Sequence, residues 1–401
     1  MSSAVPAAGS RPPVPTAPPK TGIFALEALN ILGVVLYYNY LFFFAREQFG
    51  FGNLENLLLS ALNGFLYIPG SLLGGWLAQR RGCFFALKLG LVGLILALTA
   101  GGFCSGALAQ TIVLAAWTLP VCLTWPALEA LTAEHENPRD LPHRIGLYNV
   151  VWAGGAAAAY FGGGLVIEAL GWKSLFWLPA TLHVLQLALA LRCEQSWRRT
   201  MQDTAPAAGT ASAAPMQSVR ADVAASFRRM AWLANPFAYI AMNTVLPLMP
   251  GLAATLGLST AQAGFVCSVW MFARLAAFFA LWHWTGWHYR FGWLLGAYVL
   301  LIASFALILL VPTLWVLVLA QLLFGGAVGL IYYSSLYYSM NQSDTKGAHG
   351  GVHEAAIGIG IFAGPAVGAL ALRAAPAWPT AGAWAVSALL VLGLALIWRL
   401  R

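Results

Sequence analysis

Residues 23–45 read IFALEALNILGVVLYYNYLFFFA, a run in which Glu27 is the only charged side chain. At about 1.5 Å of rise per residue, a helix of this length crosses the hydrocarbon core of a bilayer, which is about 30 Å thick. The run is longer than the apolar region of a signal peptide, and it lacks a small-residue cleavage site. It therefore predicts a transmembrane helix that remains in the protein.

Eleven further runs of similar length and apolar character follow along the chain. Strands of a membrane barrel are excluded, because those alternate over about ten residues, whereas these runs are continuously apolar. The composition agrees, since 60% of the residues are hydrophobic, 8% are charged and the mean hydropathy is +0.75. The twelve predicted helices occupy residues 23–45, 54–78, 83–105, 107–131, 145–169, 173–192, 231–256, 259–284, 291–311, 313–340, 350–373 and 378–399.

One long polar stretch, residues 193–230, separates the sixth run from the seventh. It divides the chain into two halves, residues 21–192 and residues 231–401, each with six runs. Residues 1–20 are rich in Ala, Pro and Ser, a composition typical of a disordered tail that buries little apolar area. The sequence thus predicts an all-α membrane protein of twelve transmembrane helices in two six-helix bundles.

The positive charges predict the orientation of these helices. When twelve helices alternate across the membrane, 17 of the 21 Lys and Arg residues fall on the side of the N-terminus. Cytoplasmic loops collect such residues, so we expect both termini, the tail and the central loop in the cytoplasm. The membrane is then the cell membrane, inner or plasma. The net charge of +8 does not indicate nucleic-acid binding, because no basic stripe with interleaved aromatic residues accompanies it.

The two halves repeat a pattern of glycines. Gly163 in the fifth run matches Gly368 in the eleventh at an offset of 205 residues. Gly82, after the second run, matches Gly286, after the eighth, at an offset of 204 residues. Two independent stretches with nearly one offset predict related halves of the same orientation, an arrangement found in transporters with parallel repeats.

The segment after the second run, residues 74–88, reads GGWLAQRRGCFFALK. Gly75, Arg80 and Gly82 make it resemble the signature loop of the major facilitator superfamily, G-x-x-x-D-[RK]-x-G-x-[RK]-[RK]. Gln79 replaces the acidic residue and two phenylalanines replace the basic pair, so the loop departs from the charge relay of the family. Residues 162–177 and 358–368 also resemble the family, in the link between its fifth and sixth helices and in its eleventh helix.

The resemblance implies two pseudo-symmetric bundles around a central cavity, lined mainly by the first, fourth, seventh and tenth helices. It implies a secondary transporter that moves a small polar or amphipathic organic solute by alternating access. The expected partners are that solute, membrane lipid and a coupling ion, with protons as one candidate, and we expect a monomer. Ala159 and Tyr160 stand where family antiporters carry a Gly-Pro pair, which weakly disfavours a drug/proton antiporter.

Polar side chains within the apolar runs are candidates for substrate binding, because burying them in hydrocarbon is costly unless they are paired. Arg274 lies near the middle of the eighth run. There it either neutralises a carboxylate or phosphate of a substrate or pairs with a carbonyl or Glu of the other bundle. Aromatic residues in such runs serve packing more often than binding. The candidate substrate-binding residues are Asn30, Tyr37, Trp125, Asn243, Arg274, Gln321 and Tyr332.

A second group is predicted to act in ion coupling or gating. Glu27 lies about one turn inside the first run, so it either faces the cavity or extends to the water. His183 either carries a proton or forms a hydrogen bond within its bundle. Asn149 and Glu354 are equivalent in the repeat, where they form a hinge or gate or cap a helix. The group consists of Glu27, Arg80, Glu129, Asn149, His183 and Glu354.

We predict no enzyme activity, cofactor or metal site. A membrane enzyme needs a nucleophile, an acid and base pair or a metal set at the water interface, and no such set is recognisable. His349 and His353 have the spacing of a metal-binding pair, but no third ligand accompanies them. The alternative to a transporter is a non-transporting sensor or assembly partner with the same fold, which the departures from the signature loop make conceivable.

Overall fold

The computed structural model describes residues 20–134, 136, 140–203, 220–340 and 346–401. Within these ranges the regular elements are α-helices, and twelve helical spans are long and apolar enough to cross a membrane. The prediction of an all-α integral membrane protein with twelve transmembrane helices is therefore confirmed.

The helices are, in chain order, α1 (Thr21–Phe49), α2 (Asn53–Arg81), α3 (Cys83–Phe103), α4 (Ala107–Ala133), α5 (Leu141–Leu170), α6 (Ser174–Asp203), α7 (Ala221–Thr255), α8 (Thr260–Cys267), α9 (Val269–His283), α10 (Phe291–Leu310), α11 (Leu314–Met340), α12 (Lys346–Ala374) and α13 (Ala381–Arg399).

The eighth span is interrupted, because α8 and α9 meet at Ser268 and cross the membrane together. The Ser268 hydroxyl donates a hydrogen bond of 3.1 Å to the carbonyl oxygen of Phe265. A serine that bonds a carbonyl of the preceding turn competes with the helix backbone and often bends the helix. Trp270 and Arg274 follow the interruption, so both side chains are positioned by α9.

Helices α6 and α7 extend beyond their apolar runs, α6 to Asp203 and α7 from Ala221. The stretch 193–230, predicted from its polarity to be a loop, is thus helical at both ends. In α6 the added turns are supported by charge, since Glu194 pairs with Arg198 one turn later at 2.7 Å. Hydropathy marks only the part of a helix that lies in lipid, so it underestimates the length of a helix that continues into water.

The outer surface of the bundle is apolar. Leu96, Leu108, Trp315 and Leu370 are among the exposed side chains, with exposed fractions from 64% to 80%. Soluble monomers rarely expose contiguous apolar area of this kind, because water solvates it poorly. The surface is suited to the hydrocarbon of a bilayer, which agrees with the length of the spans.

The two halves of the chain meet mainly along two helix pairs, α2 with α12 and α5 with α8 and α9. Glycines allow the backbones to approach in both pairs. A Cβ atom on Gly64 of α2 would overlap the backbone of Phe362 in α12, and one on Gly164 of α5 would overlap the carbonyl of Thr260. Small residues are enriched at helix contacts in membranes for this reason. The two pairs are equivalent in the repeat, so the halves are joined by related contacts.

Lys20, the last residue of the predicted tail, is fixed against the bundle. Its Nζ atom donates hydrogen bonds of 2.7 Å to the carbonyl of Leu131 and 2.6 Å to that of Glu134, at the C-terminal end of α4. It also lies 4.6 Å from the ring centroid of Trp197 in α6. A cation is favoured there because the last carbonyls of a helix are free and its dipole is negative at that end. Residues 1–19 lie outside the described residues, so the disordered tail stays a prediction.

Candidate functional site

A cavity lies between the two halves. Helices α1, α2, α4 and α5 line it from the first half, and α7, α9, α11 and α12 line it from the second. The wall is mainly aromatic and aliphatic, and its polar groups include three amides, two carboxyl groups and one guanidinium. Apolar cavities with a few convergent polar groups are typical binding sites for small organic molecules.

The helices that line the cavity differ in part from those that the family resemblance implied. The first, fourth and seventh spans contribute as expected. The tenth span, α11, contributes only Tyr332, whereas the eighth and eleventh spans contribute three residues each. Those six residues are Trp270, Met271, Arg274, Glu354, Ile357 and Ile361. The expectation of a cavity lined mainly by the first, fourth, seventh and tenth helices is therefore corrected by the large share of the eighth and eleventh.

The face that α1 turns to the cavity does not include the two candidate residues predicted on this helix. Ile31 and Tyr38 line the cavity, whereas Asn30 and Tyr37, which precede them, do not. One residue is about 100° of rotation on a helix, so Asn30 and Tyr37 point into the first half. Asn30 donates a hydrogen bond of 3.2 Å to the hydroxyl of Thr124 in α4.

Glu27 is fully buried and does not extend to the water. Its carboxylate accepts a hydrogen bond of 2.9 Å from the hydroxyl of Tyr148 in α5 and one of 3.4 Å from the indole nitrogen of Trp125 in α4. Trp125 and Tyr148 line the cavity, and Glu27 lies behind them. The alternative in which Glu27 snorkels to the membrane surface is therefore not the one that the structure adopts.

Glu129 and Glu354 lie on the cavity wall next to this pair. The carboxyl group of Glu354 in α12 accepts a hydrogen bond from the hydroxyl of Tyr67 in α2, and the carboxyl group of Glu129 in α4 lies near it. Tyr67 belongs to the first half and Glu354 to the second, so this bond joins the halves. We refer to Glu27, Glu129 and Glu354 together as the carboxyl cluster.

The carboxyl cluster can hold a proton. Two neighbouring carboxyl groups share a hydrogen bond only when one of them holds a proton, because an ionised carboxylate only accepts. Within the described part of the chain, the ion pairs leave Glu27, Glu129 and Glu354 without a Lys or Arg partner. Three ionised carboxylates close together would repel one another without a cation to compensate them. The arrangement is therefore suited to taking up and releasing protons.

Arg274 lines the cavity from α9 and is 4% exposed. Its guanidinium carbon lies 4.4 Å from the ring centroid of Trp152 in α5 and 5.0 Å from that of Trp270. Its Nη1 atom donates a weak bond of 3.8 Å to the sulfur of Met242. Among the described residues no carboxylate pairs with it, so the predicted alternative of an ion pair with a Glu of the other half is not formed. Cation–π contacts stabilise a buried charge of this kind by about 2 kcal/mol or more each, and they leave its N–H groups able to donate hydrogen bonds to an anion.

Besides Asn30, two members of the predicted substrate-binding group do not line the cavity, and both make contacts between helices. Tyr37 packs against Trp117, with ring centroids 4.9 Å apart, and Gln321 donates a hydrogen bond of 2.9 Å to the carbonyl of Val266 where α11 meets α8. These contacts stabilise helix packing. The members of the group that do line the cavity are Trp125, Asn243, Arg274 and Tyr332.

Besides Glu27, three members of the predicted coupling group do not line the cavity. The Nδ1 atom of His183 shares a hydrogen bond of 2.9 Å with Gln186 inside the first half. Asn149 is buried, and neither atom of its amide has a hydrogen-bond partner. Arg80 lies at the exposed end of α2 over the ring of Trp76, 5.0 Å from its centroid. Their predicted roles therefore stay predictions without support from the cavity.

Sequence reasoning missed Tyr67, Tyr148 and Trp270 as residues of the site. Tyr67 lies on a helix that was not expected to line the cavity, and Tyr148 precedes a residue that was chosen instead. A signal was available, because a buried tyrosine hydroxyl usually needs a hydrogen-bond partner. A tyrosine inside an apolar run therefore indicates a polar neighbour on another helix.

Within the described residues there is no group of three or more His, Cys, Asp or Glu side chains placed to hold a metal ion. His353 is buried on α12, with its ring centroid 6.3 Å from that of Tyr332. The side chain of His349 is not among those described, so the predicted pair is not defined by the structure.

The whole fold resembles that of solved transporters. The crystal structure of the human organic anion transporter MFSD10 (TETRAN) superposes with a TM-score of 0.65 at 16% sequence identity, over 94% of this chain and 98% of that one. The crystal structure of a mutant of the nucleoside transporter NupG superposes with a TM-score of 0.66 at 14% identity, over 95% of this chain and 99% of that one. No protein-family model matches the sequence, and no curated protein matches it.

Proposed function

We propose that this chain, which has the fold of the major facilitator superfamily, is a secondary transporter of a small polar or amphipathic organic solute. The observation that carries the proposal is the single wall that both halves build around the central cavity, with Arg274 and the carboxyl cluster on it. The similar structures are named as transporters of an organic anion and of a nucleoside, which are both small organic solutes.

Alternating access is supported by the nature of the contacts between the halves. Asn56 of α2 donates a hydrogen bond of 3.2 Å to the carbonyl of Pro247 in α7, and Ser60 donates one of 3.2 Å to the carbonyl of Asn243. These bonds lie toward the end of the bundle opposite the described termini. Local hydrogen bonds of this kind can break and be replaced by others when one half rocks against the other.

A proton is the coupling ion that the site favours. A proton shared by Glu129 and Glu354 joins the halves through a hydrogen bond, and that bond is lost when the proton leaves. Release of the proton is thereby linked to separation of α4 from α12. The titratable groups that interact with the cluster are Tyr67, Tyr148, Tyr239 and Tyr332.

Transport is tested with the purified protein in proteoliposomes under an imposed proton gradient, with a panel of radiolabelled organic solutes. We expect accumulation of at least one solute that collapses when a protonophore is added. Glu354→Gln should remove the accumulation, whereas Glu55→Gln, an exposed Glu at the start of α2, should not. Accumulation that survives both the protonophore and Glu354→Gln would refute proton coupling.

A sensor or assembly partner with the same fold is the second candidate function. It is favoured by Gln79 and the two phenylalanines in the segment that resembles the signature loop. A protein of this kind binds a solute in the cavity but does not release it on the other side. Thermal stabilisation by a solute that shows neither accumulation nor exchange would support this function and contradict transport.

The cytoplasmic position of both termini belongs to the proposal as well. It rests on the charge bias of the sequence and on Lys20, whose side chain is held at the end of α4. Single cysteines introduced at Ser196 and Ser105 on a cysteine-free background should be labelled from opposite sides of the membrane. Labelling of both from one side would contradict this topology.

A further inference from the structure

Among the described residues, the fully buried polar side-chain atoms of the cavity wall that lack a partner are all hydrogen-bond donors. Such nitrogen atoms occur on four lining residues, whose exposed fractions are 2% to 4%. They are Nδ2 of Asn39, Nε1 of Trp117, Nε1 of Trp270 and Nε of Arg274. An unsatisfied buried donor destabilises the fold, so such groups are rare without a reason. A ligand that brings acceptor atoms would remove this cost.

The four donors are grouped around Arg274 and opposite it. Trp270 precedes Arg274 by one turn of α9, and the guanidinium lies 5.0 Å from its ring centroid. Trp117 and Asn39 line the cavity from the first half, where Trp117 stacks on Tyr38 with ring planes 5° apart. Donors therefore come from both halves, which suits a ligand held between them.

The carboxyl cluster does not offer an equivalent site to a cation. Glu27 and Glu354 already accept hydrogen bonds from Tyr148, Trp125 and Tyr67. An anion at Arg274 would supply an acceptor to a donor that has none, and it would displace only the weak contact with Met242. The cavity is therefore better suited to an anion at Arg274.

The charged residues of the wall favour a ligand with one negative charge over a ligand with two. Among the described residues, Arg274 is the only guanidinium or ammonium on the lining, and the wall also carries Glu129 and Glu354. A second negative charge on the ligand would be desolvated without a partner, which is unfavourable. A carboxylate also matches the planar fork of a guanidinium, which binds it with two parallel hydrogen bonds.

The rings of the wall add a preference for a flat aromatic body. Trp152, which packs on Arg274, is stacked on Tyr332 with centroids 5.4 Å apart and ring planes 20° apart. Trp125, Tyr148 and Tyr239 extend this aromatic surface along the cavity. Aromatic pairs contribute about 0.5–1.5 kcal/mol beyond the burial of their area.

We infer that the ligand of the cavity is an aromatic monocarboxylate, whose carboxylate binds Arg274 and whose ring packs on the aromatic wall. The inference deepens the proposed transport function and rests on it for the movement of the ligand, but binding can be measured by itself.

The test uses five ligands with one bicyclic frame and the purified full-length protein in detergent at pH 7. The ligands are 2-naphthylacetate, its neutral amide, its saturated decahydro analogue, 2-naphthylethylamine and 2-naphthyl phosphate. We expect 2-naphthylacetate to stabilise the protein against heat at a concentration at least about tenfold lower than any of the other four. Equal stabilisation by the amide or the amine would overturn the inference.

Two variants assign the binding to Arg274 and its neighbour. Arg274→Gln should abolish stabilisation by 2-naphthylacetate, whereas Arg290→Gln, outside the spans, should leave it unchanged. Trp270→Phe keeps a ring and loses the donor, so it should weaken binding several-fold, with the exposed Trp315→Phe as its control. If Arg274→Gln does not fold, Arg274→Lys replaces it, with an expected loss of about tenfold because Lys lacks the fork. Unchanged binding in the Arg274 variants would overturn the inference.

The outcomes for binding and for transport are separable. Tight binding of 2-naphthylacetate without flux in proteoliposomes would support the inference and contradict the proposed function. Proton-driven flux of an amine or sugar, without binding of 2-naphthylacetate, would support the proposed function and overturn the inference.

Discussion

The carboxyl cluster and Arg274 lie on the wall of the same cavity, but their hydrogen bonds are satisfied to different degrees. Glu354 and Glu27 accept hydrogen bonds from Tyr67 and Tyr148 on neighbouring helices. The guanidinium of Arg274 is covered by aromatic rings, and its Nε atom has no acceptor. Both regions are buried, so solvent does not account for the difference.

The carboxyl cluster already has hydrogen-bond donors within the protein, whereas Arg274 can still bind an acceptor on a ligand. A buried network with its own donors can move a proton between its members without an outside partner. A buried cation without a carboxylate partner has unused capacity to bind an anion, because its desolvation is only partly compensated. The proposed division is therefore proton handling at the carboxyl cluster and solute binding at Arg274.

The largest effect is expected from Arg274→Ala. Removal of the only cation of the cavity wall should lower solute uptake in proteoliposomes about 100-fold, because a charge-assisted bidentate contact is lost. Arg274→Lys should retain part of the uptake. Uptake by Arg274→Ala within twofold of the unmodified protein, at equal folded amounts, would show that Arg274 serves packing only.

Glu354→Gln should separate exchange from accumulation. An amide can still donate a hydrogen bond to Glu129, so the halves stay joined, but it cannot release a proton. We expect the ratio of internal to external solute under a proton gradient to fall to about one, while exchange of labelled for unlabelled solute continues. Loss of exchange together with accumulation would place Glu354 in solute binding and remove the contrast with Arg274.

Gly64→Ala should damage the carboxyl cluster and spare the Arg274 site. The added methyl group would overlap the backbone of Phe362, which should lower the free energy of unfolding by about 1–3 kcal/mol. Gly64 lies one turn from Tyr67 on α2, so separation of α2 from α12 disturbs the contact with Glu354.

The matched control for Gly64→Ala is Gly162→Ala, where nothing lies within 4 Å of the new methyl group. Unfolding by heat or denaturant in detergent measures the difference between the two variants. An equal stability of both would show that the contact between α2 and α12 yields easily.

The smallest effect is expected from Tyr148→Phe. The change removes one donor from Glu27 and leaves that of Trp125, at a cost of about 0.5–1.5 kcal/mol. Proton-driven uptake should fall by about two- to tenfold. Tyr298→Phe, which removes a buried hydroxyl without a partner, is the control and should have no effect on uptake.

The sequence indicated several residues of the site, but it did not indicate which face of each helix lines the cavity. Arg274, Glu129 and Glu354 are recognisable as polar residues in apolar runs, and all three line the cavity. On α1 the prediction chose Asn30 and Tyr37, each one residue before a lining residue. The sequence of α1 is apolar on all faces of the helix, so its periodicity does not indicate which face lines the cavity.

The number of membrane spans, the division into halves and the fold class were determined by the sequence alone. The free energy of transfer from water to lipid is a sum over consecutive residues. A local run of sequence therefore decides whether a helix crosses the membrane. The partners inside the bundle were decided only by the tertiary structure. Tyr67 and Glu354 are 287 residues apart in the chain, and their contact depends on how α2 and α12 are rotated and how deep each lies. The rotation and the depth of each helix are set by side-chain packing against other helices. They therefore cannot be predicted from one run of sequence alone.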